Sequence, residues 1–442
     1  MRAAMLFVLL LNLFSASAVV AQNVPPAPTA QQAATTTKTL TLAEAERLAL
    51  KNNPNISVAN LNAMISHQNI REQRSALLPT AFLSVTAVDS RPGSRVAAGA
   101  LNNPVIYPRA ATGATVSQLI TDFGRTNNLV ASSEFEAKAQ DQTAIATTAD
   151  ILLAVDQAYF NTLETKALVS VAQQTVDARQ TLVDKIQALT SAKLRSDLDL
   201  SFTQVDASRA RLLLLEAQNN YQAALAGLSA LLGFSDEQDF QLVEEPTAAN
   251  PPPLDVLPLI SEALAQRPEV LALRDRVQAA ETFGHAEHDL WRPNVSALGV
   301  VGLAPVRDNH IPNWYGAVGV NINIPVFNGF LFSARAQSAD LQTSADRQRL
   351  VDLQNNIARD VRDAWHDSER AFERLSVTGQ LRAQANLALD LAQSRYNLGL
   401  SSIVEFSQAE LQKTEADISD TDARYQYRLT QIVLAYTMGA PK

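Results

Sequence analysis

The chain has 442 residues, 47% of them hydrophobic but only 6% aromatic, with a formal net charge of −9 and no cysteine. The missing cysteine excludes disulfides, thiolate metal sites, a cysteine nucleophile and a lipid on an N-terminal cysteine. The acidic balance does not suit a nucleic-acid partner, and the length admits two or more ordinary domains, so the question is how the chain divides.

Residues 1–21 hold one basic residue, Arg2, an apolar run from Ala3 to Phe14 and a small-residue end, Ser15 to Ala21. That pattern predicts a Sec signal peptide cleaved after Ala18 or Ala21. The apolar run is shorter than the roughly 20 residues a bilayer span needs, which argues against a retained anchor. Residues 22–39, rich in Pro, Ala, Thr and Gln, read as a flexible leader that cannot bury enough surface to order itself. No later segment offers a transmembrane helix, so membrane contact would have to come through strands, an interfacial surface or a partner.

A first repeat is expected over residues 40–240. Leu42, Ala45, Leu48 and Ala49 recur at helical spacing behind Thr41, and a second helix runs from about Asn55 to Leu78, where Pro79 ends it. Strands are expected at about 81–88 and 113–122, joined by a long loop with Gly and Pro. From Arg109 to Glu245 there is no proline at all. The soft break at Lys193 to Asp197 leaves helices of about 65 and 37 residues, roughly 100 and 55 Å long, which implies an antiparallel, coiled-coil-like hairpin. Leu182, Ile186 and Leu189 on one arm, and Leu225, Leu228 and Leu232 on the other, supply apolar spacings of three and four.

Residues 241–257 form a Pro-rich connector, after which the pattern restarts over residues 258–440. Asn53-Pro54 returns as Arg267-Pro268 and Leu78-Pro79 as Arg292-Pro293, both offset by 214. Asp122-Phe123-Gly124 matches Phe327-Asn328-Gly329 at an offset of 205, so about nine residues are lost from the loop at Pro305 to Asn313. Ser196, Asp199, Tyr221 and Gly233 match Ser402, Glu405, Tyr427 and Gly439 at 206. The chain is a tandem duplication of helix, helix, strand, strand, long helix, helix. The second pair of strands is expected at about 294–304 and 315–326, the last alternating from Val318 to Val326 between apolar and polar. A sheet lying on a soluble core gives the same alternation. Helices this long cannot curl over a small sheet, however, and four strands cannot close a barrel, so several copies would have to share one wall.

The order of these features, with Leu40-Thr-Leu-Ala-Glu-Ala, Arg267-Pro-Glu-Val, Pro325-Val-Phe-Asn-Gly and Gly399-x-x-Ser402-x-x-Glu405, resembles the TolC family of outer-membrane efflux proteins over residues 40–440. The resemblance implies a mixed α and membrane-β fold, in which four strands per chain join a shared 12-stranded barrel of a homotrimer above a long α-helical periplasmic tunnel. It implies no enzyme activity and no cofactor. The partners implied are a periplasmic membrane-fusion adaptor, an inner-membrane transporter of RND or ABC type, and outer-membrane lipid. Type I protein secretion is a rival within the family, and a soluble periplasmic coiled-coil adaptor or structural protein is a rival from another class.

The resemblance also places an iris-like constriction at Asp199, Glu405 and Gln408. It places adaptor-contact tips at Lys193, Leu194 and Ser196 on one hairpin and at Gly399, Leu400, Ser401 and Ser402 on the other. Two positions depart from the family pattern: Lys193 stands where glycine is expected, and Gln408 where an acid is. One of two charge rings would then be neutral and cation selectivity weaker. Phe123, Trp291, Trp314, Tyr315 and Phe327 gather at strand ends, as an interfacial aromatic girdle does and as core packing also does. His285 and His288, with Glu281 a turn earlier, have formal metal-ligand spacing, but with acids common on helix surfaces they read as a solvated helix face. No Gly-rich phosphate loop, H-E-x-x-H motif or Ser–His–acid set in useful context is found, which leaves no catalytic residue to name.

Overall fold

The computed structural model describes residues 38–89, 109–236, 238, 240–244, 250–305 and 312–439. The expected signal peptide, most of the leader, much of the outer loops (Asp308 and His310 among them) and part of the Pro-rich connector lie outside the described residues.

The first repeat comprises α1 (Leu42–Asn52), α2 (Pro54–Ser75), β2 (Thr80–Val88), β3 (Arg109–Thr121), α3 (Arg125–Ser191) and α4 (Asp197–Leu231). The second comprises α5 (Leu257–Gln266), α6 (Pro268–His288), β5 (Asn294–Leu303), β6 (Trp314–Asn323), α7 (Leu331–Asn397) and α8 (Ile403–Thr437). Local chemistry sets these boundaries. The Thr41 hydroxyl accepts the Glu44 amide at 3.2 Å to start α1. Pro54 and Pro268 open α2 and α6 in the first turn, where an N–H would have no helical partner. The two longest helices have 67 residues each and contain no proline to break them, so each extends for about 100 Å. Among the described residues no helix is long and apolar enough to cross a membrane.

Two small strands depart from the sequence reading. β1 (Lys38–Leu40) pairs with β4 (Phe240–Leu242), so the end of the leader and the start of the connector are ordered against each other. The cause is burial: Leu40, Phe240 and Leu242 join Val155, Tyr159, Leu225, Leu228 and Leu232 in one apolar cluster. The Tyr159 hydroxyl lies 2.9 Å from the Leu40 carbonyl and 2.7 Å from that of Val243. Leu182 and Ile186 belong instead to a separate cluster at the far end of the α3–α4 hairpin, so the two leucine sets do not face each other.

The main sheet runs β2-β3-β5-β6, antiparallel throughout, with β2 and β6 each paired on one side only. β6 ends at Asn323, three residues before the expected Val326. Successive side chains alternate across the sheet. Its register places Val85, Val116, Val301, Val318 and Val320 on one face, with Ser84, Thr115, Ser296, Asn321 and Asn323 on the other. Neither face is covered by the chain's own helices, and every β6 residue is exposed. A soluble sheet would bury its valine face on a core, so this one requires a different apolar surrounding.

The duplication extends to side-chain contacts. Arg74 on α2 pairs with Glu134 on α3 at 2.8 Å, and their counterparts, His288 on α6 and Asp340 on α7, approach to 3.2 Å. His67 meets Asp141 at 3.1 Å, and their counterparts Glu281 and Arg347 meet at 2.7 Å with the acidic partner on the opposite helix. These partners explain Glu281 and His288 without a metal. Both long-helix pairs begin and end at an offset of 206. The left-handed residues at the strand exits are Phe123-Gly124 in one half and Gly329-Phe330 in the other, so the glycines that sequence alignment matched at 205 are not equivalent positions. The loop between strands is therefore eight residues shorter in the second half, the difference between the offsets of 214 and 206.

Candidate functional site at the hairpin tips

The helices α2 and α4 pack on α3, α6 lies between α3 and α7, and α8 packs on both α7 and α3. Both long hairpins turn at one end of this assembly, and the two turns share one construction. After α3, Lys193 takes φ +63°, and after α7, Gly399 takes φ +75°. The Leu194 amide then reaches Leu189 O at 2.8 Å, and the Leu400 amide reaches Arg395 O at the same distance, closing each helix with a Schellman-type turn. Ser196 caps α4 by accepting the Asp199 amide at 3.1 Å, and Ser402 caps α8 by accepting that of Glu405 at 3.3 Å. The cap is thus Ser402, while Ser401 has a shielded hydroxyl that faces away from solvent.

A small core joins the tips. Leu182 and Ile186 from α3 pack with Ala392 and Tyr396 from α7 and with Ile403, Phe406 and Ala409 from α8. Tyr396 is 2% exposed and stacks on Phe406 with ring centroids 5.6 Å apart. The Arg195 guanidinium lies over the tyrosine ring at 4.3 Å from its centroid, and its Nη2 donates to Tyr396 O at 3.2 Å. Burial pushes the Tyr396 hydroxyl pKa up; Arg195 opposes this and Asp199 adds to it. Lys185 donates to Asn397 Oδ1 at 2.9 Å, a second tie between the hairpins.

The structure distributes the sequence-derived residues as follows. Glu405 lies 3.5 Å from Arg395 Nε and is partly exposed. Gln408, one turn on, lines a groove of about 330 Å³ with Arg179, Phe202, Asp206 and Val404. Asp199 lies in the first turn of α4 on the other hairpin. Lys193, Leu194, Gly399 and Leu400 are exposed at the turns, Leu194 and Leu400 by 69% and 67%. The contacts made by Arg179, Arg195 and Arg395 escaped the sequence reading.

Arg179 ties three helices together, because it bonds Glu410 of α8 and approaches Asp206 of α4 at 3.7 Å. Burial raises the Glu410 pKa, with Arg179 working against the shift. Nearer the first core, Glu164 is raised to about 7 by burial and then by Asp422, with Arg374 opposing.

The aromatic set divides. Trp314 is 65% exposed on the valine face at the outer end of β6. Tyr315, next to it, lies on the opposite face with its ring over Gly113 and Gly302. It therefore does not belong to a lipid-facing girdle with Trp314, because adjacent strand residues point to opposite sides. Phe123, Trp291 and Phe327 sit at the other end of the sheet; Trp291 meets Phe332 edge-on at 5.5 Å, and Phe327 meets Phe330 edge-on at 5.7 Å.

The model for the outer membrane efflux protein family matches the chain twice, over residues 46–234 and 259–440. The chain belongs to this family. The two matches coincide with the two repeats. The chain is 23% identical to outer membrane protein OprJ of Pseudomonas aeruginosa over 406 residues, covering 89% of this chain and 82% of OprJ. It is 22% identical to TolC of Escherichia coli strain K12 over 421 residues, covering 90% and 83%. Among solved structures, CusC superposes with a TM-score of 0.79 at 19% identity, covering 92% of this chain and 94% of CusC. VceC of Vibrio cholerae gives 0.76 at 18%, covering 90% and 96%. These superpositions bear out the fold class: a long helical body with the strands of a membrane barrel.

Proposed function

We infer that the protein is the outer-membrane exit channel of a tripartite efflux system, reaching from the membrane into the periplasm. The observation that carries this is the four-stranded sheet. It has a valine face, a serine and asparagine face, two open edges and helices of about 100 Å beneath it. A periplasmic coiled-coil protein has no use for such a sheet. In this reading three copies close the barrel, and the tips are its periplasmic end.

Asp199, Glu405 and Gln408 would narrow that end. Three Glu405 carboxylates around an axis attract cations, and each is tempered by its own Arg395. The Arg195–Tyr396 contact would hold the two hairpins of a protomer together in the closed arrangement. Leu194 and Leu400, with Lys193, Ser196, Gly399, Ser401 and Ser402 around them, would form the surface that meets the adaptor, behind which an RND or ABC pump supplies cargo. Fractionation with an efflux assay tests the proposal. The channel reading requires the protein in the outer-membrane fraction and cargo retention when it is deleted. A soluble periplasmic protein whose deletion leaves export unchanged would refute it.

A further inference from the structure

The face of the sheet opposite the valines is not uniformly polar. Pairing runs across the wall from Ser84 to Gly113, Gly302 and Tyr315, and one level nearer the helices from Phe82 to Thr115, Val300 and Ala317. On the next level Ser117 stands opposite Leu298. Residues paired in this way share a face, so Phe82, Leu298, Val300 and Tyr315 gather on one side of the sheet within three successive levels. Phe82 is 67% exposed and Leu298 43%.

Tyr315 lies along the wall instead of standing away from it. Its ring crosses Gly302 on the neighbouring strand and its hydroxyl reaches Gly113 on the strand after, because neither has a Cβ to hold it off. One face of the ring therefore packs on backbone and the other looks away from the sheet. Phe82 sits beside the far end of the ring, one strand beyond Gly113 and one level nearer the helices. No acidic or basic residue occurs on this face between Thr80 and Thr86 of β2 or at the positions paired with them on β3, β5 and β6.

Resting on the trimeric reading above, in which the valine face meets lipid and this one lines the lumen, we propose that the patch is a transit site for amphiphilic organic cations. Apolar side chains open to a water-filled lumen are stabilised when the apolar part of a passing molecule covers them. The inner wall of a closed barrel is concave, so the patch wraps such a molecule from one side. The sign of the molecule's charge follows from what surrounds the patch. The free face of Tyr315 and the ring of Phe82 attract a cation through their π electrons. An anion would need a guanidinium or ammonium partner, and these levels hold none. The chain's net charge of −9 favours the same sign. Contact with one wall alone is weak, as a duct requires, because the cargo must leave again.

Planar-bilayer recording of the full-length chain tests this, with tetrabutylammonium as the probe. Tetramethylammonium, which has the same charge and little apolar surface, and hexanesulfonate, which is apolar with the opposite charge, serve as controls. Expected is a reduction of channel current by tetrabutylammonium at concentrations severalfold below either control. Phe82→Ser should raise the tetrabutylammonium concentration for half-reduction severalfold, and Phe82→Trp should lower it, a gain that misfolding cannot produce. Leu83→Ala, its neighbour on the valine face, should leave it unchanged. Conducting channels in which the probe acts no better than the controls, or in which Phe82→Trp matches the wild type, overturn the transit site and leave the channel standing. A wild-type chain that forms no conducting channel overturns the channel reading itself.

Discussion

Lys193 holds a left-handed backbone conformation for which the second hairpin uses Gly399, and both close the same hydrogen-bonded turn. A side chain in that conformation costs roughly 1–2 kcal/mol, partly offset by the greater freedom of glycine in the unfolded chain. Lys193→Gly is therefore expected to raise stability by up to about 1 kcal/mol, and Gly399→Ala to lower it by about 1 kcal/mol, as read from denaturant unfolding. Tyr315 supplies a second test at this scale. A Cβ on Gly113 would overlap the Tyr315 hydroxyl, while the ring carbon beneath it would be 3.3 Å away. Gly113→Ala should lower the heat stability of the sheet, and adding Tyr315→Phe should restore part of the loss. An equal loss in single and double variants would show that the ring is not the obstacle.

Between elements, the ties joining the two hairpins decide how firmly the tips are held. Arg195 contributes a stacked cation and a hydrogen bond to Tyr396, together worth about 1–2 kcal/mol. Arg195→Ala should increase single-channel conductance or open time severalfold, whereas Arg195→Lys, which keeps the charge but loses the flat stack, should fall between. The Glu164 contact adds a pH dependence. Its pKa is raised from the ordinary 4.5 to about 7 in the folded chain. The folded state therefore binds more protons than the unfolded one between these values, and stability falls as pH rises through them. Unfolding midpoints should drop between pH 5 and pH 8, and Glu164→Gln should flatten that drop.

The elements and their duplication were legible in the sequence because proline positions and helical periods repeat at fixed offsets. The β1–β4 pair was not, since three-residue strands carry no period and depend on distant burial around Tyr159. At the tips, the first turn was legible as the break at Lys193 to Asp197, and the offset of 206 carries it to the second. The arginine contacts were not, because Arg195 and Tyr396 stand 201 residues apart in the chain.

At the scale of the whole molecule, the strands belong to a membrane wall and the long helices to a conduit below it, which in the proposed reading narrows at the hairpin tips. Long-range electrostatics belong to this scale: in the proposed channel the carboxylates of Glu405 would set the sign of the field at the tips, and Arg395, 3.5 Å away, would limit its strength. The most direct test is single-channel recording of the purified full-length protein in a planar lipid bilayer under a salt gradient. A channel of this kind gives discrete conductance with a modest cation preference, a reversal potential that moves toward zero with Glu405→Gln, and larger currents with Arg195→Ala. Outer-membrane protein with its strand content intact that conducts no ions, with or without Arg195→Ala, would contradict it.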